Sequence, residues 1–266
     1  MSQYSNVSVI IPFYNAADTI KLTINSILEQ SLKPLEVIIV NDASDYKHTE
    51  KLELLLSEIK CDIPFYYYKL KVNRGAAFCR NYAISKSSGD YLAFLDADDV
   101  WFKRKLELQY NFMIDNGFRL SGHGYIFNVN GYDIEDENTF SFSIIKKYKF
   151  LYKNPFFTPT VMVKKDSFHL FDNSLRRVDD YKCWLENFED GKVGLINVNL
   201  AGGFKHPIGV SGLTGSIYKM HKSYLLVLQM LLAEKKISSL FYIAAKLIET
   251  VKYPLRCFKM FIKRYI

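Results

Sequence analysis

The sequence has little of what marks several large classes of protein. Its 266 residues include four cysteines, none of them in a CxxC pair, so neither a disulfide framework nor a zinc site is indicated. A reducing, cytosolic compartment is therefore expected. The first residues lack the basic and apolar regions of a secretion signal. An apolar run near the C-terminus, Tyr224–Ala233, is too short to cross a bilayer.

Glycine is missing where two nucleotide-binding folds require it. No GxGxxG follows the first strand-like run, which argues against a dinucleotide-dependent oxidoreductase. No glycine occurs from Pro12 to Asp18, so the chain lacks the loop with which a sugar nucleotidyltransferase holds a triphosphate. That class remains an alternative interpretation, as does a non-catalytic, membrane-associated sugar-binding protein.

A net positive charge is found only in the C-terminal segment. The net charge is +7, but the chain from Lys219 onward holds ten basic and two acidic residues. The first 218 residues therefore hold 25 basic and 26 acidic residues. This distribution argues against a nucleic acid as the partner of the main domain and places the basic character in the tail.

The first hundred residues alternate between apolar, β-branched runs and segments of helical period. The predicted strands are Val7–Ile11, Leu35–Val40, Pro64–Leu70 and Tyr91–Leu95. The predicted helices between them are Ala16–Gln30, Tyr46–Ile59 and Gly75–Lys86. Strands joined by crossover helices predict an α/β fold with a mostly parallel sheet, whose ligands bind at the carboxyl ends of the strands. Pro12 is expected to end the first strand.

Beyond residue 100 the pattern is less regular. It predicts a helix from Trp101 to Asn116, a turn-rich stretch over Phe118–Phe142 and a strand over Thr158–Val163. A further helix, Val178–Phe188, opens on two aspartates. In the tail, helical spacing continues from Leu240 until Pro254, which is expected to break it.

Three carboxylates, Asp96, Asp98 and Asp99, follow the fourth predicted strand within four residues. Carboxylates repel one another and are costly near apolar side chains, so such a cluster usually needs a compensating cation. Mg²⁺ and Mn²⁺ take oxygen ligands and commonly bridge to phosphates. A solvated acidic turn that starts the next helix is the alternative interpretation.

Four segments together carry a family resemblance. They are Val7–Asn15 (VSVIIPFYN), Glu36–Ser44 (EVIIVNDAS), Asn73–Asn81 (NRGAAFCRN) and Phe94–Asp99 (FLDADD). In order and spacing they resemble glycosyltransferase family 2. The resemblance implies the GT-A fold, transfer of a sugar from a nucleotide diphosphate with inversion, and a divalent cofactor, Mn²⁺ or Mg²⁺.

The resemblance assigns the residues at the first two strand ends to the nucleobase. Pro12, Tyr14 and Asn15 would line its site, although the Tyr14 ring could equally serve only in packing. Asp42 would accept a hydrogen bond from the imino group of uracil, which favours a UDP-hexose or UDP-N-acetylhexosamine donor. An Asx turn that caps the next helix is the alternative for Asp42.

The resemblance assigns a second group to the ribose, the diphosphate and the metal. Asp96 would lie near the ribose, and Asp98 would be the principal metal ligand. Asp99 would support these residues without binding the metal directly, or cap the start of the next helix. Arg80 would meet phosphate or hold the aspartates, and a purely structural salt bridge is its alternative. His206 is a candidate third metal ligand or phosphate contact, or a loop histidine of no special role.

The acceptor half is expected to supply the general base. Asp179 and Asp180 match the family's acidic pair, and Asp180 is the predicted base. Favourable charge at a helix N-terminus is the alternative for the pair. Tyr181 and Trp184 are candidates for acceptor contacts or for packing.

The expected organisation is a GT-A domain over residues 1–212 and a basic helical tail over 213–266. Residues 1–100 would bind the nucleotide and residues 101–212 the acceptor. The tail would lie on an anionic membrane, or else pack its apolar stripe on the main domain. The expected acceptor is a lipid-linked glycan of bacterial surface-polysaccharide synthesis, at the inner face of the cytoplasmic membrane.

Overall fold

The computed structural model describes residues 4–129, 141–204 and 216–265. Within those ranges nine strands form one mixed sheet. The strands are β1 (Val7–Phe13), β2 (Glu36–Asn41), β3 (Phe65–Lys69), β4 (Tyr91–Phe94), β5 (Asp99–Trp101), β6 (Leu120–Phe127), β7 (Phe142–Ile144), β8 (Met162–Lys164) and β9 (Val193–Gly203). The helices are α1 (Ile20–Leu28), α2 (Tyr46–Glu58), α3 (Ala76–Lys86), α4 (Lys105–Asn116), α5 (Asp179–Glu186), α6 (Ile217–Ala233) and α7 (Ser239–Tyr265).

The sheet is parallel in its first half and mixed in its second. Its spatial order is β3-β2-β1-β4-β8-β6-β9-β5, and β7 also pairs with β9. Strands β1 to β4 are parallel, whereas β8 runs antiparallel to both β4 and β6. The predicted α/β architecture is confirmed, and so are the four early strands and the helices between them, with boundaries shifted by a few residues.

Two apolar layers hold the helices against the sheet. Ile10, Ile38 and Phe94 pack on the face that α3, α5 and α6 cover, and Val9 and Ile39 pack on the face of α1, α2 and α4. Strands covered on both faces read as continuous apolar runs, as β1 and β2 do. Each fully buried branched side chain contributes about 1.5–3 kcal/mol, so these layers fix the strand ends that carry the site.

Pro12 does not end β1, contrary to the prediction. The carbonyl of Ile10 accepts from the backbone amide of Leu95, so the backbone N–H and C=O groups of the even-numbered residues of β1 point towards β4. The paired part of β4 ends at Phe94, opposite Ile10. Pro12 therefore lies where no ladder partner needs its missing N–H, and pairing with β2 continues to Phe13.

Three predictions for the second half are corrected. The stretch predicted as turn-rich contains an eight-residue strand, β6, which pairs with β8 and β9. The strand predicted from Thr158 begins only at Met162, after a 3₁₀ turn at Thr158–Thr160. Asp99 opens β5 instead of the next helix, because α4 begins at Lys105.

The tail consists of two helices: α6 packs on the main domain, and α7 packs on α6 and contacts the 3₁₀ turn at Lys147–Leu151. Val227, Leu228 and Leu231 of α6 are buried in the same apolar cluster as Trp184 of α5. Helix α7 runs through Pro254 without a break, contrary to the prediction. Pro254 is exposed, so the backbone bond that it removes is lost on the solvent side. Within the described ranges, no helix has the length and apolar content to cross a membrane.

Candidate functional site

The candidate site lies at the carboxyl ends of β1, β2 and β4. The turns after these strands carry Tyr14, Asp42 and Asp96, and helices α3 and α5 bring Arg80 and Asp179 to the same edge. This is where parallel α/β sheets bind ligands, because the connecting loops diverge there and expose backbone groups. The structure therefore brings together residues that are far apart in the sequence.

Asp42 is buried and holds the start of α3. Its Oδ1 accepts from the amide of Arg74 at 2.6 Å, and its Oδ2 accepts from the amide of Gly75 at 2.7 Å. The cap that the sequence suggested for the following helix is thus made to α3 instead of α2. Each carboxylate oxygen has a second lone pair, so the side chain keeps the capacity to accept from a ligand.

Asn15 ties the turn after β1 to the turn after β2. Its backbone N–H donates to the hydroxyl of Ser44 at 3.0 Å, and its side-chain oxygen accepts from the backbone N–H of Asp45 at 2.9 Å. Its φ of 50° is one that asparagine tolerates better than most residues. The neighbouring Tyr14 is 53% exposed, so its ring is not part of the core and is open to a planar ligand.

Arg80 connects three elements of the site. One guanidinium nitrogen donates to Asp96 Oδ1 at 2.6 Å and another to Asp179 Oδ2 at 3.3 Å. The side chain of Arg80 is only 6% exposed, whereas those of Asp96 and Asp179 are 32% and 15% exposed, so the guanidinium itself is shielded from solvent. The guanidinium fork thereby fixes the end of β4 relative to the start of α5.

The acidic pair opens α5, as the sequence predicted. Asp179 faces Arg80, whereas Asp180 Oδ2 accepts from the side-chain amide of Asn154 at 2.7 Å. Burial, and then the charge of Asp179, raise the pKa of Asp180 to about 7. Burial also raises the pKa of Asp179, and Arg80 opposes that shift. A carboxylate with a pKa near 7 is suited to accept a proton at neutral pH.

Asp99 makes a hydrogen bond within the sheet. Its Oδ1 accepts from the hydroxyl of Tyr125 at 2.7 Å. Burial, and then the charge of Asp96, raise the pKa of Asp99 to about 8. A Cβ on Gly203 would lie 2.3 Å from both bonded oxygens, so only glycine fits opposite this pair.

Asp98 lies in the turn between β4 and β5 and is half-buried. Within the described ranges, no cluster of three or more His, Cys, Asp or Glu side chains is placed to hold a metal ion. The donor chemistry nevertheless fits Mg²⁺ or Mn²⁺, which are often held by one or two carboxylates and the phosphates of a substrate. The predicted ligand His206 lies outside the described residues.

Two acceptor candidates are structural. Tyr181 is 3% exposed and donates to the carbonyl of Phe150 at 2.9 Å. Trp184 is fully buried against Phe94 and Phe171. Sequence reasoning missed Asn154 and Tyr125, which contact the acidic groups. Each lies 26 residues from its partner, and nothing in the local pattern marks either one.

Comparison with known proteins places these motifs in a family. Residues 8–177, more than half of the chain, match the family model described as glycosyl transferase family 2. An uncharacterised glycosyltransferase of Rickettsia bellii is 38% identical over 200 residues, covering 74% of this chain and 28% of the relative. The chain thus spans under a third of that relative.

Two further relatives have more specific names. A putative teichuronic acid biosynthesis glycosyltransferase of Bacillus subtilis is 43% identical over 120 residues, 45% of this chain and 46% of the relative. A UDP-Glc:alpha-D-GlcNAc-diphosphoundecaprenol beta-1,3-glucosyltransferase of Escherichia coli is 30% identical over 197 residues, 72% of this chain and 73% of the relative.

Solved structures share the fold. The S. aureus TarS 1–349 complex with UDP-GlcNAc matches with a TM-score of 0.63 and 19% identity, covering 85% of this chain and 66% of that one. A Pyrobaculum calidifontis mannosyltransferase with GDP-Man and Mn²⁺ matches with a TM-score of 0.64 and 17% identity, covering 93% of this chain and 69% of that one. These likenesses confirm the predicted GT-A fold.

Proposed function

Because the chain belongs to glycosyl transferase family 2, we propose that it transfers a hexose or N-acetylhexosamine from a UDP-sugar to a hydroxyl of a lipid-linked glycan, with inversion. The contacts that join Arg80, Asp96, Asp179 and Asp180 at the carboxyl edge of the sheet carry this proposal. They place a buried cation among the carboxylates that a nucleotide sugar would meet, and a carboxylate of raised pKa beside them.

The donor nucleotide lies across the ends of β1 and β2. Asp42 keeps acceptor capacity for an imino N–H, while Tyr14 and Asn15 line the same edge next to Pro12. Guanine also has an imino N–H, so Asp42 alone does not select uracil. The UDP-Glc in the name of the Escherichia coli relative supports UDP as the nucleotide.

The diphosphate of the donor would bind beside Asp98. Asp98 would hold Mn²⁺ or Mg²⁺ through its carboxylate oxygens, and His206 remains a predicted further ligand. When bound, the ion supplies positive charge that stabilises the departing nucleoside diphosphate. Arg80 neutralises Asp96, so that this carboxylate can lie near the ribose without repelling the phosphates.

Asp180 acts as the general base. The acceptor hydroxyl loses its proton to Asp180 while its oxygen forms a bond to the anomeric carbon. The bond from that carbon to the diphosphate oxygen breaks on the opposite face, and its electron pair leaves with the nucleotide. Asn154 holds Asp180 in place through the 2.7 Å hydrogen bond.

The exposed surface of α7 supports a membrane-linked acceptor. Its outward residues recur every three or four positions and are 38–78% exposed: Leu240, Ile243, Leu247, Val251, Leu255, Phe258 and Ile262. At 100° per residue this stripe lies opposite Ala245 and Glu249, which are buried. An exposed apolar stripe with flanking lysines is typical of a helix that lies on anionic lipid.

The acceptor is accordingly a lipid-linked intermediate of bacterial surface-polysaccharide synthesis, reached at the inner face of the cytoplasmic membrane. The Escherichia coli relative is named for a diphosphoundecaprenol acceptor, and the Bacillus subtilis relative for teichuronic acid biosynthesis. Both names fit an enzyme that is held at a membrane surface by its tail.

The test is release of nucleoside diphosphate from a panel of UDP- and GDP-sugars, with Mn²⁺, Mg²⁺ or EDTA. We expect turnover of a UDP-sugar that needs the metal and falls at least about 100-fold in Asp98→Ala. Asp115→Ala is the matched control, because Asp115 is an exposed aspartate near the C-terminal end of α4. Turnover that survives both EDTA and Asp98→Ala would contradict the proposal.

A further inference from the structure

The contacts around the site form a closed ring. Arg80 joins Asp96 to Asp179, and Asp180, the next residue, is bonded to Asn154. On the other side, the backbone amide of Asp99 donates to the carbonyl of Asp96, and the Asp99 side chain is bonded to Tyr125.

Phe157 completes the ring. Its side chain stacks on Tyr125 with ring centroids 5.0 Å apart and an interplanar angle of 28°. It follows Asn154 by three residues, so its Cα lies within about 11 Å of the Asn154 Cα. The ring of contacts therefore includes two aromatic side chains, Tyr125 and Phe157, besides Arg80, the carboxylates and Asn154.

Three aromatic side chains form this part of the ring, and we refer to Tyr125, Phe127 and Phe157 as the aromatic platform. Phe127 contacts Phe157 edge-on at 5.4 Å and Tyr125 edge-on at 5.1 Å. The three contacts hold each ring in a fixed orientation. The platform is thus a rigid surface, formed by β6 and the turn before β8.

Phe157 is exposed although its neighbour in the chain is buried. Phe156 is 2% exposed and packs against Phe150, whereas Phe157 is 40% exposed. The fold therefore directs one phenylalanine into the core and leaves the next on the surface, beside the carboxylates. An apolar ring held in that position is an expected feature of a ligand groove.

A pyranose ring fits such a surface. One face of the sugar presents C–H groups, which pack on an aromatic ring, while its hydroxyls project sideways towards polar groups. A hydrocarbon chain would leave the carboxylates around the rest of the ring without polar partners. Phe157 follows Asn154 by three residues, and Asn154 donates to Asp180, so a sugar on Phe157 would have polar groups of the site within a short stretch of chain.

We propose that the aromatic platform is the subsite for the acceptor saccharide, whose pyranose ring stacks on Phe157. This assignment rests on the proposed function and specifies its acceptor side: a sugar hydroxyl, not a protein or lipid hydroxyl, receives the transferred residue. The stacking fixes which hydroxyl faces Asp180, so Phe157 determines acceptor orientation and does not act on the donor.

The experiment measures saturation transfer by NMR to methyl glycosides of glucose, galactose and N-acetylglucosamine, with UDP and Mg²⁺ present. Phe157→Leu keeps an apolar side chain but removes the ring, and Phe157→Trp keeps a ring. Tyr66→Leu is the control, since Tyr66 is a similarly exposed aromatic on β3. Hydrolysis of the UDP-sugar donor is measured on the same samples.

The platform predicts that at least one glycoside binds the wild type and that Phe157→Leu weakens its affinity about three- to tenfold. Phe157→Trp and Tyr66→Leu should bind the glycoside as the wild type does, and Tyr66→Leu should hydrolyse the donor at the wild-type rate. Equal saturation in wild type and Phe157→Leu, including none in either, would overturn the assignment. If the wild type hydrolyses no UDP-sugar but its sugar binding still depends on Phe157, the proposed donor chemistry is wrong and the assignment of the sugar subsite is supported.

Discussion

The side-chain amide of Asn154 donates a 2.7 Å hydrogen bond to the carboxylate of Asp180. This contact joins the turn around Asn154 to the first turn of α5, and it engages the carboxylate whose pKa burial raises to about 7. The backbone amide of Tyr181 and the charge of Arg80 oppose that rise in pKa. Asn154 orients Asp180, and a hydrogen bond to a carboxylate favours its charged form.

Replacement of Asn154 should therefore change the pH profile as well as the rate. Asn154→Ala is expected to lower kcat about tenfold and to move the acid limb of the profile to higher pH, with the KM for the donor unchanged. Steady-state rates from pH 5 to 9 measure both effects. If kcat falls by the same factor at every pH and the acid limb does not shift, Asn154 has only a structural role.

Asp180 should lower stability at alkaline pH. The unfolded-state pKa of an aspartate is about 3.9, so between there and about 7 the native state keeps a proton that the unfolded state has released. The contribution of Asp180 to the free energy of unfolding is therefore lost as pH rises through that window. The free energy of unfolding of Asp180→Asn, measured by urea denaturation, should exceed that of the wild type by about 1–3 kcal/mol at pH 8 and by little at pH 4. A variant that is no more stable than wild type at pH 8 would contradict the burial of this charge.

Arg80 should be needed for folding and for activity. Arg80→Ala leaves Asp96 and Asp179 without their shared cation and should cost about 3–5 kcal/mol of unfolding free energy. Arg119→Ala is the control, because its pairs with Asp166 and Glu189 are solvent-exposed and should cost less than about 1 kcal/mol. Similar losses in the two variants would show that the Arg80 pairs are no more important than surface pairs.

The stripe on α7 should bind anionic vesicles. Leu247→Glu with Leu255→Glu puts two charges into the stripe and should reduce vesicle sedimentation more than about tenfold, without changing donor hydrolysis. Leu54→Glu makes the same change at an exposed leucine of α2 and should have no effect. Removal of Pro254–Ile266 should also weaken binding. Two outcomes would argue against this surface. One is that the wild type sediments equally with uncharged and anionic vesicles, and the other is that the double variant sediments as strongly as the wild type.

The sequence predicted the position of site residues that directly follow a buried strand. Asp42, Asp96 and Asp98 could be placed at one edge of the sheet, because apolar runs locate strands and parallel strands end together. The acidic pair at the start of α5 was also predicted, although its contact with Arg80 joins residues 99 positions apart.

Contacts set by tertiary packing could not be predicted. Asn154 lies in a turn, and Tyr125 lies in a strand whose pattern is too weak to distinguish from a loop. Pro254 was expected to end a helix, but a proline on the solvent side of a helix that packs on α6 is tolerated. Local propensity describes each segment alone, whereas these outcomes depend on what the segment packs against.

Inversion with Asp180 as the base is the central claim, and the stereochemistry of donor hydrolysis tests it most directly. Real-time proton NMR of UDP-α-glucose or UDP-α-N-acetylglucosamine, whichever the enzyme turns over, resolves the anomer released before mutarotation. A single displacement predicts the β anomer first, at a rate that falls at least about 100-fold in Asp180→Asn. Initial release of the α anomer, or an undiminished rate in Asp180→Asn, would contradict the account.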